Sequence, residues 1–389
     1  MKQYGFLIFI FIFISCGKME TSLTDNVKQM EIDVDDRRIF NYSQLFDTCF
    51  VIPLETRDNA LVGEVKKVIL VDKYLILLDN NTSKSIFIYD LDGKLRNIID
   101  RQGEGPGEYI FPFAIYLSEL GREVIVFDSK GLKAIFYTLE GEFVREVKLG
   151  QNGVFFDLFP MEGSFYLTGE DPANEKKILK EVNQDFELQK TIDTFSPDDI
   201  WMINGTKQKY IFEKAGGKGF YYMAWGAKRI LEIVDNHIEQ EIRFSFSRDG
   251  FQSKAGEPLT FGEYGTRMDA EETFALGDQI IDGKNFMFID VHQNRFVKMA
   301  LWDKATDKIH YISYLNNDMD GMITKMPGMF GFNFNSGYFI TMMYPPDFNE
   351  RAKKGIPESP YKDLLENIKL EDIDNPVLFV YTFKEYFDE

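Results

Sequence analysis

The chain has 389 residues, 44% of them hydrophobic, so it can bury a large core and is not disordered throughout. It carries 44 Lys and Arg against 63 Asp and Glu, a net charge of −19, with no long basic run; this excludes a generally cationic nucleic-acid surface. Two Cys and three His leave no room for a zinc cluster or a disulfide framework.

At the N-terminus, Lys2 is followed by a run of Phe, Ile and Leu over residues 5–14. The run is shorter than the roughly 20 apolar residues that span a bilayer. It has the length and position of the apolar core of an export signal. Ser15-Cys16-Gly17 comes next, and then polar sequence. A small residue, a Cys and a Gly in that place resemble a bacterial lipobox. With Phe13 where a Leu is usual, it is similar to the looser lipoboxes of Bacteroidetes. The resemblance implies that residues 1–15 are a signal peptide and that Cys16 is the lipidated first mature residue. The protein is then tethered to a cell-envelope membrane, periplasmic or outer-membrane. Residues 16–44 read as the lipidated terminus and a flexible linker. Cys49 reads as a small buried hydrophobe rather than a nucleophile.

A repeat governs the rest of the chain. Residues 73–99, 122–147, 164–192, 219–244 and 285–312 share one pattern, and 337–343 with 376–383 make a split sixth copy. An aromatic-rich strand ends near an Asp or a small residue. A short polar turn leads to an alternating strand, and a tight turn to a third. These tight turns fall at Asp92-Gly93, Glu140-Gly141, Asn183-Gln184, Asp235-Asn236 and Lys304-Ala305. Asp-Gly between alternating runs is a strong hairpin signal, because the tight turn needs the positive φ that Gly and Asn tolerate. A further apolar stretch precedes each copy, at 65–71, 111–117, 154–159, 210–214, 274–281 and 330–334.

Six units of four strands predict an all-β fold, a six-bladed β-propeller of four-stranded antiparallel blades in one domain over residues 45–389. The last unit is short of a strand, while residues 49–54 form a strand without a blade. That strand is expected to complete the sixth blade and close the ring. The aromatic 15% is expected to pack between blades.

The lipobox, the strand ending Pro53-Leu54-Glu55, the repeat from Tyr74 through Asp92-Gly93-Lys94, and the loop Gly103-Glu-Gly-Pro-Gly-Glu-Tyr109 carry a further likeness. Together they resemble the six-bladed β-propeller lipoproteins of Bacteroidetes, relatives of the wider NHL-like propellers. The likeness spans roughly residues 45–385 and implies fold and compartment, with no agreed activity.

Function is read from the loops. In a propeller the blade-to-blade connections share one rim with the turns between second and third strands. Here that rim holds the long segments 101–109, 194–209, 245–273, 313–329 and 345–375. Long loops gathered on one face of a rigid ring are where binding concentrates. The expected function is a binding module for a peptide, glycan or protein ligand, monomeric, with no nucleic-acid partner.

The candidate contacts are Arg101, Glu104, Glu108 and Tyr109, with Asn80 and Asn81. The glycine-rich loop 101–109 exposes backbone N–H groups as an anion nest does, but its two Glu oppose an anion, and its other reading is a loop that steers the chain between blades. Leu364, Leu365 and Ile368 sit at helical spacing within 345–375, on a helix that caps the channel mouth, docks a partner or packs on its own rim. Residues 319–334 are rich in Met and Phe, as either an adaptable binding surface or part of an inner strand. No catalytic residue, metal ligand or cofactor is assigned. The alternative is a hydrolase, lactonase or lyase acting in the channel with acidic residues and calcium, near Asn80, Asn81, Asp128, Asp290 and Asn333. No EF-hand spacing or Gly-x-Ser-x-Gly elbow supports it.

Overall fold

A computed structural model describes residues 24–384 apart from 119, 150–154, 162, 172–175, 196–210, 217–218, 224–227, 249–261, 264–265, 267–271, 295 and 323–337. Along the chain come β1 (Val27–Ile32), β2 (Arg37–Asn41), a short helix Tyr42–Leu45 and β3 (Phe46–Pro53). Five four-strand units follow. Blade one is β4 (Lys67–Val71), β5 (Tyr74–Asp79), β6 (Ser85–Asp90) and β7 (Leu95–Ile99). Blade two is β8 (Pro112–Leu117), β9 (Glu123–Asp128), β10 (Lys133–Thr138) and β11 (Phe143–Lys148). Blade three is β12 (Phe155–Met161), β13 (Ser164–Asp171), β14 (Lys176–Val182) and β15 (Leu188–Phe195). Blade four is β16 (Ile211–Glu213), β17 (Phe220–Tyr222), β18 (Arg229–Val234) and β19 (His237–Phe246). Blade five is β20 (Phe274–Asp282), β21 (Phe286–Gln293), β22 (Phe296–Asp303) and β23 (Lys308–Asn316). The sixth blade holds β24 (Tyr338–Met343) and β25 (Val377–Phe383), with helices Pro345–Lys353 and Lys362–Asn367 between them. The protein is a six-bladed β-propeller.

Where the middle strands run apolar, as at Leu75–Leu78 of β5 and Ile86–Tyr89 of β6, both sheet faces are covered, and the two-residue period deals alternate side chains to opposite neighbours. In β5, Leu75 and Leu77 pack against Ile340 and Leu378 of the sixth blade. Ile76 and Leu78 pack against Val124 and Val126 of the second. The tight turns form where the sequence places them in blades one, two and four: Gly93 and Gly141 both have φ of 78°, and Asp235 and Asn236 have 46° and 62°. In blades three and five the left-handed residue falls later than expected, at Phe186 and Asp307.

Ring closure follows the sequence reading. β3 pairs antiparallel with β25, Ile52 opposite Leu378 and Phe50 opposite Val380. The first strand expected for this blade, at 330–334, lies outside the described residues. Gly93 sits against the closing strand, where an added Cβ would come 2.0 Å from the Pro53 carbonyl oxygen. Gly93→Ala is therefore expected to cost about 2 kcal/mol or more, from the left-handed backbone and the clash together. The urea midpoint of unfolding measures it.

The linker reading of residues 16–44 is corrected over its second half. From Val27 the chain is folded. β1 adds in parallel to β19 on the outer edge of blade four, with Val27 opposite Glu241 and Ile32 opposite Phe246. β2 adds in parallel to β23 on blade five. Met30, Ile32 and Val34 are buried between blades four and five, and Phe40, Tyr42, Leu45 and Phe46 between blades five and six. One N-terminal strap thus joins three consecutive blades.

Candidate binding surfaces

The first strands of successive blades neighbour one another and line the centre. Topology then sorts the connections onto two rims. The described part of the loop-rich rim is more structural than its composition suggests.

Loop 101–109 folds onto blade two. Tyr109 is fully buried between blades one and two, and its hydroxyl reaches the carbonyls of Lys84 at 2.8 Å and Ile99 at 2.9 Å. The Glu108 carboxylate accepts from Gly105 N–H at 2.9 Å, and Glu146 accepts from Gly107 N–H at 3.0 Å and from Lys133 at 2.9 Å. Glu108 within the loop and Glu146 on β11 occupy the Gly105 and Gly107 amides, so those two amides are not open to an anion. Arg101 and Glu104 stay exposed on the rim. Asn80 is buried and donates to the Phe113 carbonyl at 3.0 Å, whereas Asn81 is exposed and donates to Glu64 at 2.8 Å. Of the six candidates, then, Asn80, Glu108 and Tyr109 hold backbone. Arg101, Glu104 and Asn81 face solvent.

Glu146 ties the loop to pH. Partial burial pushes its carboxyl up, but Lys133 and the Gly107 N–H outweigh that and hold it below the ordinary value. A lowered folded pKa means a contribution present at neutral pH and lost as pH falls through the glutamate range, about 4.3, toward the folded value. Amide exchange at Gly107 is expected to accelerate on acidification below that range, and in Glu146→Gln the acid dependence should vanish.

The strand-end aspartates have a shared structural task. Asp79 accepts from the N–H groups of Gly63, Asn81, Thr82 and Ser83 at 2.8–3.1 Å. Asp128 accepts from Ile110, Phe111, Lys130 and Gly131 at 2.9–3.2 Å. Each carboxylate pins the turn leaving its strand to the segment arriving from the preceding blade. Asp128 is therefore a backbone clamp. Asn333 lies outside the described residues. Among the described residues no three or more His, Cys, Asp or Glu converge in a metal-holding group.

The insertion packs on its own side of the ring. Phe348 and Leu365 are buried with Met319 and Met322 in the core of blades five and six. The Tyr361 hydroxyl accepts from Cys49 N–H at 2.8 Å, covering the outer edge of β3. Burial pushes the Cys49 thiol pKa well up, so it is not a nucleophile. Of the three helical apolar residues Leu364 is exposed, Ile368 half-buried and Leu365 buried. The remaining Met and Phe of 319–334 (Met326, Met329, Phe330, Phe332, Phe334) lie outside the described residues.

Sequence reading missed a polar chain on the inner strands. Lys67 lies 4.0 Å over the Tyr116 ring, the Tyr116 hydroxyl donates to Asp157, and Asp157 accepts from Ile211 N–H at 3.0 Å. It links the first strands of four blades. Burial first, and the Asp157 charge second, push the Tyr116 phenol far up, so it is a donor and not a base.

No helix of the described residues is long and apolar enough to cross a membrane. Among solved structures the fold is similar to a putative exported protein of Bacteroides fragilis, 15% identical, covering 92% of this chain and 100% of that one, with a TM-score of 0.67. A member of the DUF4221 family from Bacteroides vulgatus is 13% identical over 87% of this chain and 97% of its own, with a TM-score of 0.47. No curated protein matches. The model of a domain of unknown function, DUF4934, matches residues 26–382, which takes in the strap, all six blades and the insertion, and the chain belongs to that family.

Proposed function

We propose that the protein is a lipid-anchored cell-envelope propeller, of the NHL-like kind, that binds a peptide, glycan or protein ligand through its loop-rich rim. The observation that carries this reading is the division of labour among polar groups. The carboxylates best placed for chemistry, Asp79 and Asp128, are each committed to four backbone amides, while Arg101, Glu104 and Asn81 stand exposed on a rim whose scaffold is rigid. Such a surface recognises rather than reacts. The apolar run before Ser15-Cys16-Gly17 supports export and tethering. The exported Bacteroides protein of the same fold supports export.

Two measurements test it. Cys16→Ala should move the protein from the membrane fraction to the soluble one; a variant that stays with the membrane overturns the anchor. The soluble form beginning at Gly17 should bind at least one member of a panel of envelope polysaccharides and extended peptides in a saturable way. Arg101→Ala with Glu104→Ala should weaken that binding about tenfold, the effect of losing one good polar contact. Saturable binding that ignores both substitutions overturns the rim assignment.

A further inference from the structure

The strap enters the ring at one particular rim. β1 runs parallel to β19, which starts just after the tight turn at Asp235-Asn236, so β1 also starts at the tight-turn rim. The Asn26 side chain donates to the Glu239 carbonyl at 2.9 Å, and Glu241 N–H donates to the Asn26 carbonyl at 2.9 Å. Lys28 then pairs with Asp307, in the tight turn of blade five, and lies 4.5 Å over the Trp302 ring. The start of the strap is thus fastened beside the tight turns of two blades.

Thr24 is only eight residues after Cys16. Eight residues, fully extended, reach at most about 26–29 Å. From Glu239 to the loop-rich end of β19 at Phe246 is seven residues, roughly 24 Å of strand. A lipid on Cys16 therefore meets a bilayer beside the tight-turn rim with slack to spare. Bringing the loop-rich rim to the bilayer would use nearly the whole reach of the segment, run backward along blade four, at the full entropic cost of ordering it.

We propose that the tight-turn rim is the membrane-facing surface of the protein, and that the ring holds its loop-rich rim away from the bilayer. The inference rests on the lipid-anchor reading above. The partner is the lipid surface itself, met through the tether and not through charge, since a net −19 gives no attraction to anionic headgroups. The elaborated loops then face the side from which a large peptide or glycan approaches.

Energy transfer to a headgroup-labelled lipid tests this on the full-length lipidated protein, reconstituted in vesicles of neutral phosphatidylcholine. Lys130→Cys and Glu140→Cys place a donor dye beyond opposite ends of β10, and Asn81→Cys and Asp92→Cys beyond opposite ends of β6. All four residues are exposed at strand connections, so the variants should fold as the parent does. Cys49 is buried and leaves the dye to the new thiols. Transfer from Glu140→Cys and Asp92→Cys should be severalfold stronger than from Lys130→Cys and Asn81→Cys, because the height of a blade separates the members of each pair. Equal transfer from both rims, or the reverse order, in protein that floats with the vesicles overturns the orientation and leaves the anchor standing. Protein that does not float with the vesicles overturns the anchor, and the inference with it.

Discussion

Deleting residues 24–41 is expected to leave a ring that does not fold stably. The strap buries Met30, Ile32, Val34 and Phe40 between blades. At roughly 1.5–3 kcal/mol for each buried large side chain, their burial is on the order of 8 kcal/mol. A domain's whole margin is about 5–15 kcal/mol. Deletion also bares the edges of β19 and β23, which are templates for association. Loss of the cooperative thermal transition, with aggregation on size exclusion, is the expected result. A truncated ring that melts within a few degrees of the parent would contradict it. Ile32→Ala grades the effect: a fully buried apolar side chain cut to Ala costs about 2–5 kcal/mol.

Asp128→Ala is the second large effect. Four N–H groups lose their acceptor at once, and two of them belong to the segment arriving from blade one. Hydrogen bonds to a charged group contribute about 1.5–3 kcal/mol each, and partial rehydration recovers some of this, so a net loss of about 3–5 kcal/mol is expected. Asp128→Asn should recover only part, because the amide oxygen is neutral and its NH₂ faces donors. Urea unfolding of the three proteins gives the order parent, Asn, Ala. If calcium raised the parent's melting temperature and the Ala variant lost that response, Asp128 would be a metal ligand after all.

Much of the architecture was legible because it is local. Asp92-Gly93 and Glu140-Gly141 announce hairpins through backbone preference alone, and the all-apolar run Leu75–Leu78 announces a strand covered on both faces. Closure by residues 49–54 followed from counting strands. The strap was missed although Met30, Ile32 and Val34 alternate at the strand period. Three matches among charged neighbours are a weak signal, and the acceptors for β1 lie more than two hundred residues away on β19. The strand-end Asp was visible at Asp79 and Asp128, but its role depends on which amides turn toward it. That is set by the incoming chain, and sequence does not display it. The same holds for Tyr109 and Glu108, which looked like contacts of a ligand and are contacts of the backbone. The Lys67–Tyr116–Asp157 chain is built across blades, so no local spacing records it.

The N-terminal segment from Val27 to Asn41 is part of the ring, paired to blades four and five. Native-state hydrogen exchange measures this directly. The amides of Val27–Ile32 and Arg37–Asn41 that pair with β19 and β23 should be protected to nearly the same degree as those of the blade strands. Exchange of these amides at the rate of an unstructured chain, with the blades still protected, would contradict the account.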